Sequence, residues 1–186
     1  MMSRHTVIHS GLVAALSVFM AFAPLSSADA GSNRDKRFFD TVAGYWKGPG
    51  EIVAGKYKGT KFTCNLTGES SPNGATGMKL DGTCRVGVFS QPMSAVIAWD
   101  NNRYQGKFLD GAKGKGLDIV SGVVAGDKVV VNINRAKLDG AIVARMDKDT
   151  AMHITISVKV AEQMVPVIGL KLNRQVDALA VGSVGK

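Results

Sequence analysis

Between Lys61 and Val88 the chain alternates apolar and polar residues with a period of two, interrupted once by Ser70-Ser71-Pro72-Asn73-Gly74. Phe62, Cys64 and Leu66 take one face, while Lys61, Thr63, Asn65 and Thr67 take the other. Past the interruption, Met78, Leu80, Cys84, Val86 and Val88 alternate with Lys79, Asp81, Thr83 and Arg85. This period belongs to a strand with one buried face; a helix would repeat its apolar positions every three or four residues. Proline and Asn-Gly supply turn chemistry at the interruption, so the two runs form an antiparallel hairpin. Folding about Gly74 sets Cys64 opposite Cys84 on the apolar face. They are the only two cysteines in the sequence, and the register predicts a disulfide that staples the hairpin. Their spacing is far from Cys-x-x-Cys, so nothing points to a redox role.

The same pattern continues to the end of the chain. It predicts strands near 93–100, 103–109, 116–124, 128–135, 141–146, 151–160 and 167–176, in addition to those starting near Tyr45, Lys58 and Met78. Asn101-Asn102, Asp110-Gly111, Gly126-Asp127, Asp139-Gly140 and Lys148-Asp149 lie between them and suit tight hairpins. Short connections make successive strands antiparallel neighbours, and a run of about ten avoids exposed edges most simply by closing on itself. The expected fold is therefore all-β, an antiparallel up-and-down barrel. Only 33–43 shows helical spacing, with Phe38, Phe39, Val42 and Ala43 on one side of a polar segment. A helix this short is unstable alone, so it should plug one end of the barrel. The period changes in the stretch Gly44-Tyr45-Trp46-Lys47-Gly48-Pro49-Gly50.

Residues 1–30 read as a cleaved signal peptide: Arg4 gives a positive start, 11–23 is apolar, and Ala28-Asp29-Ala30 is a small-x-small site ahead of Gly31. The apolar run is shorter than the ~20 residues that span a bilayer, and there is no second one, so no transmembrane segment is expected. The division is a leader at 1–30, one barrel domain at 31–176 and a tail at 177–186, where alternation is lost. The mature product should be soluble in the periplasm or outside the cell, an oxidising setting that agrees with the cysteine pair.

The formal charge of +8 is unchanged by removing the leader, which contains one Arg and one Asp. Lys56-Tyr57-Lys58 with Lys61, and Lys113-Gly114-Lys115, offer a basic surface to an anionic envelope partner, or simply a solvated one. No helix-turn-helix, zinc-finger or aromatic-basic stacking pattern suggests nucleic acid.

Catalytic patterns are missing. The sole histidine after the leader is His153, no Ser-His-Asp set can be assembled, and Asp147 with Asp149 belongs to a turn. Gly111-Ala112-Lys113-Gly114-Lys115-Gly116 lacks both the Ser or Thr and the following helix of a phosphate loop. The barrel interior is the remaining candidate site. Widening beyond eight strands leaves room inside unless large side chains fill it. Phe62, Leu80, Met93, Ala95, Ile97, Trp99, Ile133, Ala144, Met146 and Ile154 fall on the inward face, and small residues at Gly48, Gly50, Gly82, Ala95 and Ala144 could leave gaps between them. Either the wall encloses a pocket for an apolar or amphipathic small molecule, or it is a packed core whose glycines mark bends.

Gly44-x-Trp46 at the start of the first strand, with Arg174 near the end of the last, resembles the signature of the calycins, the superfamily of lipocalins, fatty-acid-binding proteins and avidins. The resemblance implies that Trp46 packs across the closed end with Arg174 over it, both in a structural role. Gly44-x-Trp46-x-Gly48-x-Gly50 also looks like the opening of nitrobindin-type haem barrels. Those use a histidine ligand, whereas His153 alternates with Met152, Ile154 and Ile156 and so points outward; haem and other cofactors are not expected. The resulting expectation is an exported binding protein. The alternative is an interaction protein that meets anionic polymer, lipid or protein through its basic surface, with a packed interior.

Overall fold

A computed structural model describes residues 28–71, 75–109, 111 and 116–176, with side chains from residue 33. The expected leader, apart from the backbone of 28–30, lies outside the described residues, as do the tail at 177–186, the hairpin centre at Gly74, and Asp110, Lys113 and Lys115. No described helix is long and apolar enough to cross a membrane.

One helix, α1 (Ala28–Val42), precedes ten strands: β1 (Gly44–Ile52), β2 (Lys61–Ser70), β3 (Gly77–Val86), β4 (Phe89–Asp100), β5 (Arg103–Leu109), β6 (Leu117–Ala125), β7 (Lys128–Arg135), β8 (Leu138–Asp147), β9 (Ala151–Val160) and β10 (Gln163–Gln175). Every strand pairs antiparallel with its chain neighbours, and β1 pairs with β10, so the sheet closes into a barrel. Closure gives both terminal strands a partner on each side.

Asn101 and Asn102 adopt positive φ in the two-residue β4–β5 hairpin, and Lys148 and Asp149 do so in the three-residue β8–β9 turn; asparagine and aspartate tolerate this conformation best among L residues. Asp139-Gly140 is not a turn. It lies within β8, where Gly140 pairs with Ile133 and Val158, and the chain turns instead at Ala136-Lys137, with Ala136 at φ 54°. The signal failed because neither residue is a turn former; pairing along β7 and β8 imposes the turn. β4 likewise starts four residues before its expected boundary, running through Pro92. Residues 89–93 pair with β3 but have no β5 partner among the described residues, so the proline occupies an edge-like segment that does not need a full ladder.

Cys64 and Cys84 are direct partners in the β2–β3 ladder, with Cα atoms 4.0 Å apart, and they form a disulfide. This is the close spacing of a non-hydrogen-bonded antiparallel pair. Replacing both cysteines with alanine should therefore lower stability by ~2–4 kcal/mol, the usual worth of a crosslink closing such a loop, while the barrel still folds. Urea denaturation of oxidised, reduced and doubly substituted protein checks this. Coincident midpoints for all three would show that the ladder alone sets the stability.

Candidate functional site

The barrel has two different ends. Helix α1 lies across the end formed by the start of β1 and the end of β10, and it buries Phe38, Phe39 and Val42. Trp46 is almost fully buried beneath it and donates from Nε1 to the Val42 carbonyl at 2.8 Å. The Arg174 guanidinium stacks 4.3 Å from the Trp46 ring and donates to the carbonyls of Thr41, Ala43 and Asp149. One cation thereby ties the helix C-terminus, where carbonyls lack intrahelical partners, to the β8–β9 turn. Gly44 permits this arrangement: it has φ +128°, and a Cβ there would collide with the guanidinium. A Cβ at Gly68 would collide with the Val42 carbonyl, so the helix end rests directly on β2 backbone.

A second clasp holds the helix on the far side. Tyr104, at the start of β5, is buried against Phe39 and Trp99, with ring centroids 5.5 and 4.9 Å away. Its hydroxyl donates to Asp35 Oδ2 at 2.7 Å. The other carboxylate oxygen of Asp35 is buried without a hydrogen bond, 3.7 Å from Arg34 Nε. Burial, reinforced by the Asp35 carboxylate, pushes the Tyr104 phenol well above its ordinary value.

Between this plug and the opposite end lies a cavity of about 380 Å³. Its walls are almost wholly aliphatic and aromatic, and the disulfide forms part of the surface. Only Gln91, Ser94 and Arg135 contribute polar side chains to the lining residues. The Ser94 hydroxyl is engaged by Asp81, whose carboxyl is held below its usual value by Lys79 first and Ser94 second. Gln91 and Arg135 lie near the strand ends away from the helix, at the mouth.

Of the ten expected interior positions, Phe62, Leu80, Met93, Ala95, Ile97, Ile133, Ala144 and Ile154 line this cavity. Two do not. Trp99 is 47% exposed beside the β4–β5 turn, where it packs edge-on against Tyr104. Met146 is buried at the plugged end opposite Met152. Alternation assigned both to the inner face, but their height in the barrel places them level with the helix rather than with the cavity. The small residues behave differently from one another as well. A Cβ at Gly50 would strike the Phe62 ring, and Cβ atoms at Gly48 and Gly82 would strike carbonyls of the adjoining strands, so these glycines allow close approach and leave no gap. Ala95 and Ala144 do face the space.

Phe108, Leu117, Ile119, Val158 and Val167 are among the lining residues that had not been singled out beforehand. Parity within β5 would have found Phe108. Val167 depends on a register shift between Pro166 and Ile168, which brings Val167 and Ile168 both to the interior. His153 is exposed on the outer wall, paired in register with Arg145 and Lys171. Among the described residues no group of histidine, cysteine or acidic side chains is arranged to hold a metal ion. No protein-family model and no curated protein matches this sequence.

The Tyr104 clasp has a measurable signature. The folded phenol keeps its proton to higher pH than the unfolded one, so its contribution is intact below about pH 10 and fades as pH rises through the folded value. Tyr104→Phe should cost about 1.5–3 kcal/mol at neutral pH, the worth of a hydrogen bond to a charged group, and should flatten the alkaline decline. Urea midpoints recorded against pH for both proteins make the comparison. An unchanged alkaline slope in the variant would remove Tyr104 from the account.

Proposed function

We propose that this protein binds an apolar or amphipathic small molecule inside the barrel and acts as an exported carrier in the cell envelope. The observation behind the reading is the cavity: about 380 Å³, plugged at one end and open at the other, with walls that offer contact area and almost no hydrogen bonds. That volume is in the range of small-molecule sites, and desolvating such a wall favours apolar ligands at roughly 25 cal/mol per Å² buried. Gln91 and Arg135 at the mouth suit a polar or anionic head group left near solvent, with the apolar part directed toward Met152 and Leu66.

The closed-end arrangement of Trp46 under Arg174 supports placing the chain among calycin-type barrels, many of which carry ligands in this way. Export rests on the leader-like residues 1–30 and agrees with the disulfide. The alternative of an interaction protein with a packed interior leaves the hollow centre without a role.

Native mass spectrometry of protein purified from its own envelope, set beside the denatured and reduced chain, tests the reading. The expected result is a mature mass from Gly31, short by the two hydrogens of the disulfide, with a releasable small molecule. Ala95→Phe and Ala144→Phe should each weaken uptake of anilinonaphthalene sulfonate or a fatty-acid probe roughly tenfold or more by filling the cavity. They should cost little stability, because the added ring enters empty space. A bare native mass, together with a barrel that takes up none of these probes, would overturn the proposal.

A further inference from the structure

The mouth of the barrel carries an arrangement that the cavity does not require. Ring order brings three connections side by side there: the β9–β10 turn, the β1–β2 loop and the β3–β4 turn. Along this arc Val160 and Met164, then Val53 and Tyr57, then Val88 and Phe89 are exposed. Val88 and Phe89 are the extremes, at 89% and 78% exposure, on a hairpin tip where polar residues would normally meet solvent. Phe89 is the register partner of Val86, which lines the cavity, so the apolar inner wall continues outward onto the tip. On the facing side of the mouth, the β7–β8 turn exposes Ala136 and Lys137 and no large apolar side chain.

Cations accompany these tips. Lys56, Lys58, Lys61, Arg85 and Lys159 stand on the same arc against two acids, Glu51 and Glu162, and Glu162 is already paired with Lys159 at 2.9 Å. Lys56 also lies 5.6 Å from the centroid of the exposed Tyr57 ring. By contrast Asp35, Asp40 and Asp127, toward the plugged end, all pair with bases there.

We propose that this arc of the rim docks on a bilayer containing anionic lipid, with Val88, Phe89 and Tyr57 entering the headgroup region and the surrounding lysines facing lipid phosphates. Projecting apolar side chains with cations behind them match the two halves of such an interface: hydrocarbon for the tips and negative charge for the ring around them. Two other occupants fit less well. A second copy would set this cationic arc against its equal, which repels. A soluble polyanion would use the lysines and leave Phe89 and Val88 in water. Docking in this orientation turns the cavity mouth toward the membrane, a route for an amphiphile between bilayer and barrel. The docking itself does not depend on the cavity being filled.

Vesicle flotation tests the proposal with the intact protein and two lipid mixtures: phosphatidylcholine alone, and phosphatidylcholine with phosphatidylglycerol. The protein should float with the mixed vesicles, and less so as salt rises. Phe89→Asp should weaken partitioning roughly tenfold or more, since an apolar anchor is lost and a like charge added. Lys56→Gln with Lys58→Gln should weaken it by about the same factor. Lys128→Gln, at the plugged end, should leave it unchanged. Phe89 and the lysines are exposed, so these variants should keep the parent circular dichroism and disulfide. Wild-type partitioning by Phe89→Asp would overturn the proposal, as would equal binding of soluble dextran sulfate by both. So would a dimer in sedimentation that Phe89→Asp dissociates, with no vesicle binding by the parent. Ala144→Phe separates this idea from the carrier reading: it should lose probe uptake and retain flotation.

Discussion

Pairing of β1 with β10 is the contact on which the rest of the molecule depends. Without it, ten antiparallel strands form an open sheet with two long edges and one apolar face bare to water. With it, the apolar face turns inward and the backbone groups of both terminal strands are satisfied. Closure at ten strands also sets the width, and width decides whether aliphatic side chains meet across the middle. Here they do not meet, and the interior stays partly empty.

A hollow barrel needs one end sealed if it is to hold an apolar interior without flooding, and α1 supplies the seal. The helix is too short to form independently, so its structure comes from what it covers. Phe38, Phe39 and Val42 fill the last layer, and Arg174 and Tyr104 grip it from two sides through groups that belong to the last strand and to the middle of the barrel. Residues far apart in sequence thus hold one element. Loss of barrel closure would release Arg174 from its carbonyls and free the plug together with it.

The two ends consequently differ in kind. At the plugged end, the Trp46, Tyr104 and Arg174 donors are matched with carbonyls and a carboxylate, and aromatic rings pack against one another. At the mouth, exposed apolar side chains stand with lysines on one arc, where Lys159 pairs with Glu162 and Lys56 lies over the Tyr57 ring. The proposed carrier role and the proposed membrane docking would use these two ends together, a plugged apolar cavity and an apolar, cationic rim at its mouth.

Much of this was legible in the residues alone. Alternation in β2 and β3 specified strands, faces and the Cys64–Cys84 register, because a slip of one position would expose every apolar side chain of the pair. The helix, the strand count and the cavity-lining position of eight of the ten expected site residues follow from local periodicity in the same way. Period and turn chemistry act between neighbours, so they can be read from neighbours. Trp99 and Met146 show where that rule stops: parity says which face a side chain takes, but its height in the barrel depends on strand tilt and on the helix that fills one end. Gly50 shows the same limit, since only the tertiary structure reveals that the Phe62 ring occupies the space above it. Hollow or packed was open in the sequence because volume is a sum over all ten strands, and the gathering of Tyr57, Phe89 and Met164 on one arc exists only once the barrel has closed.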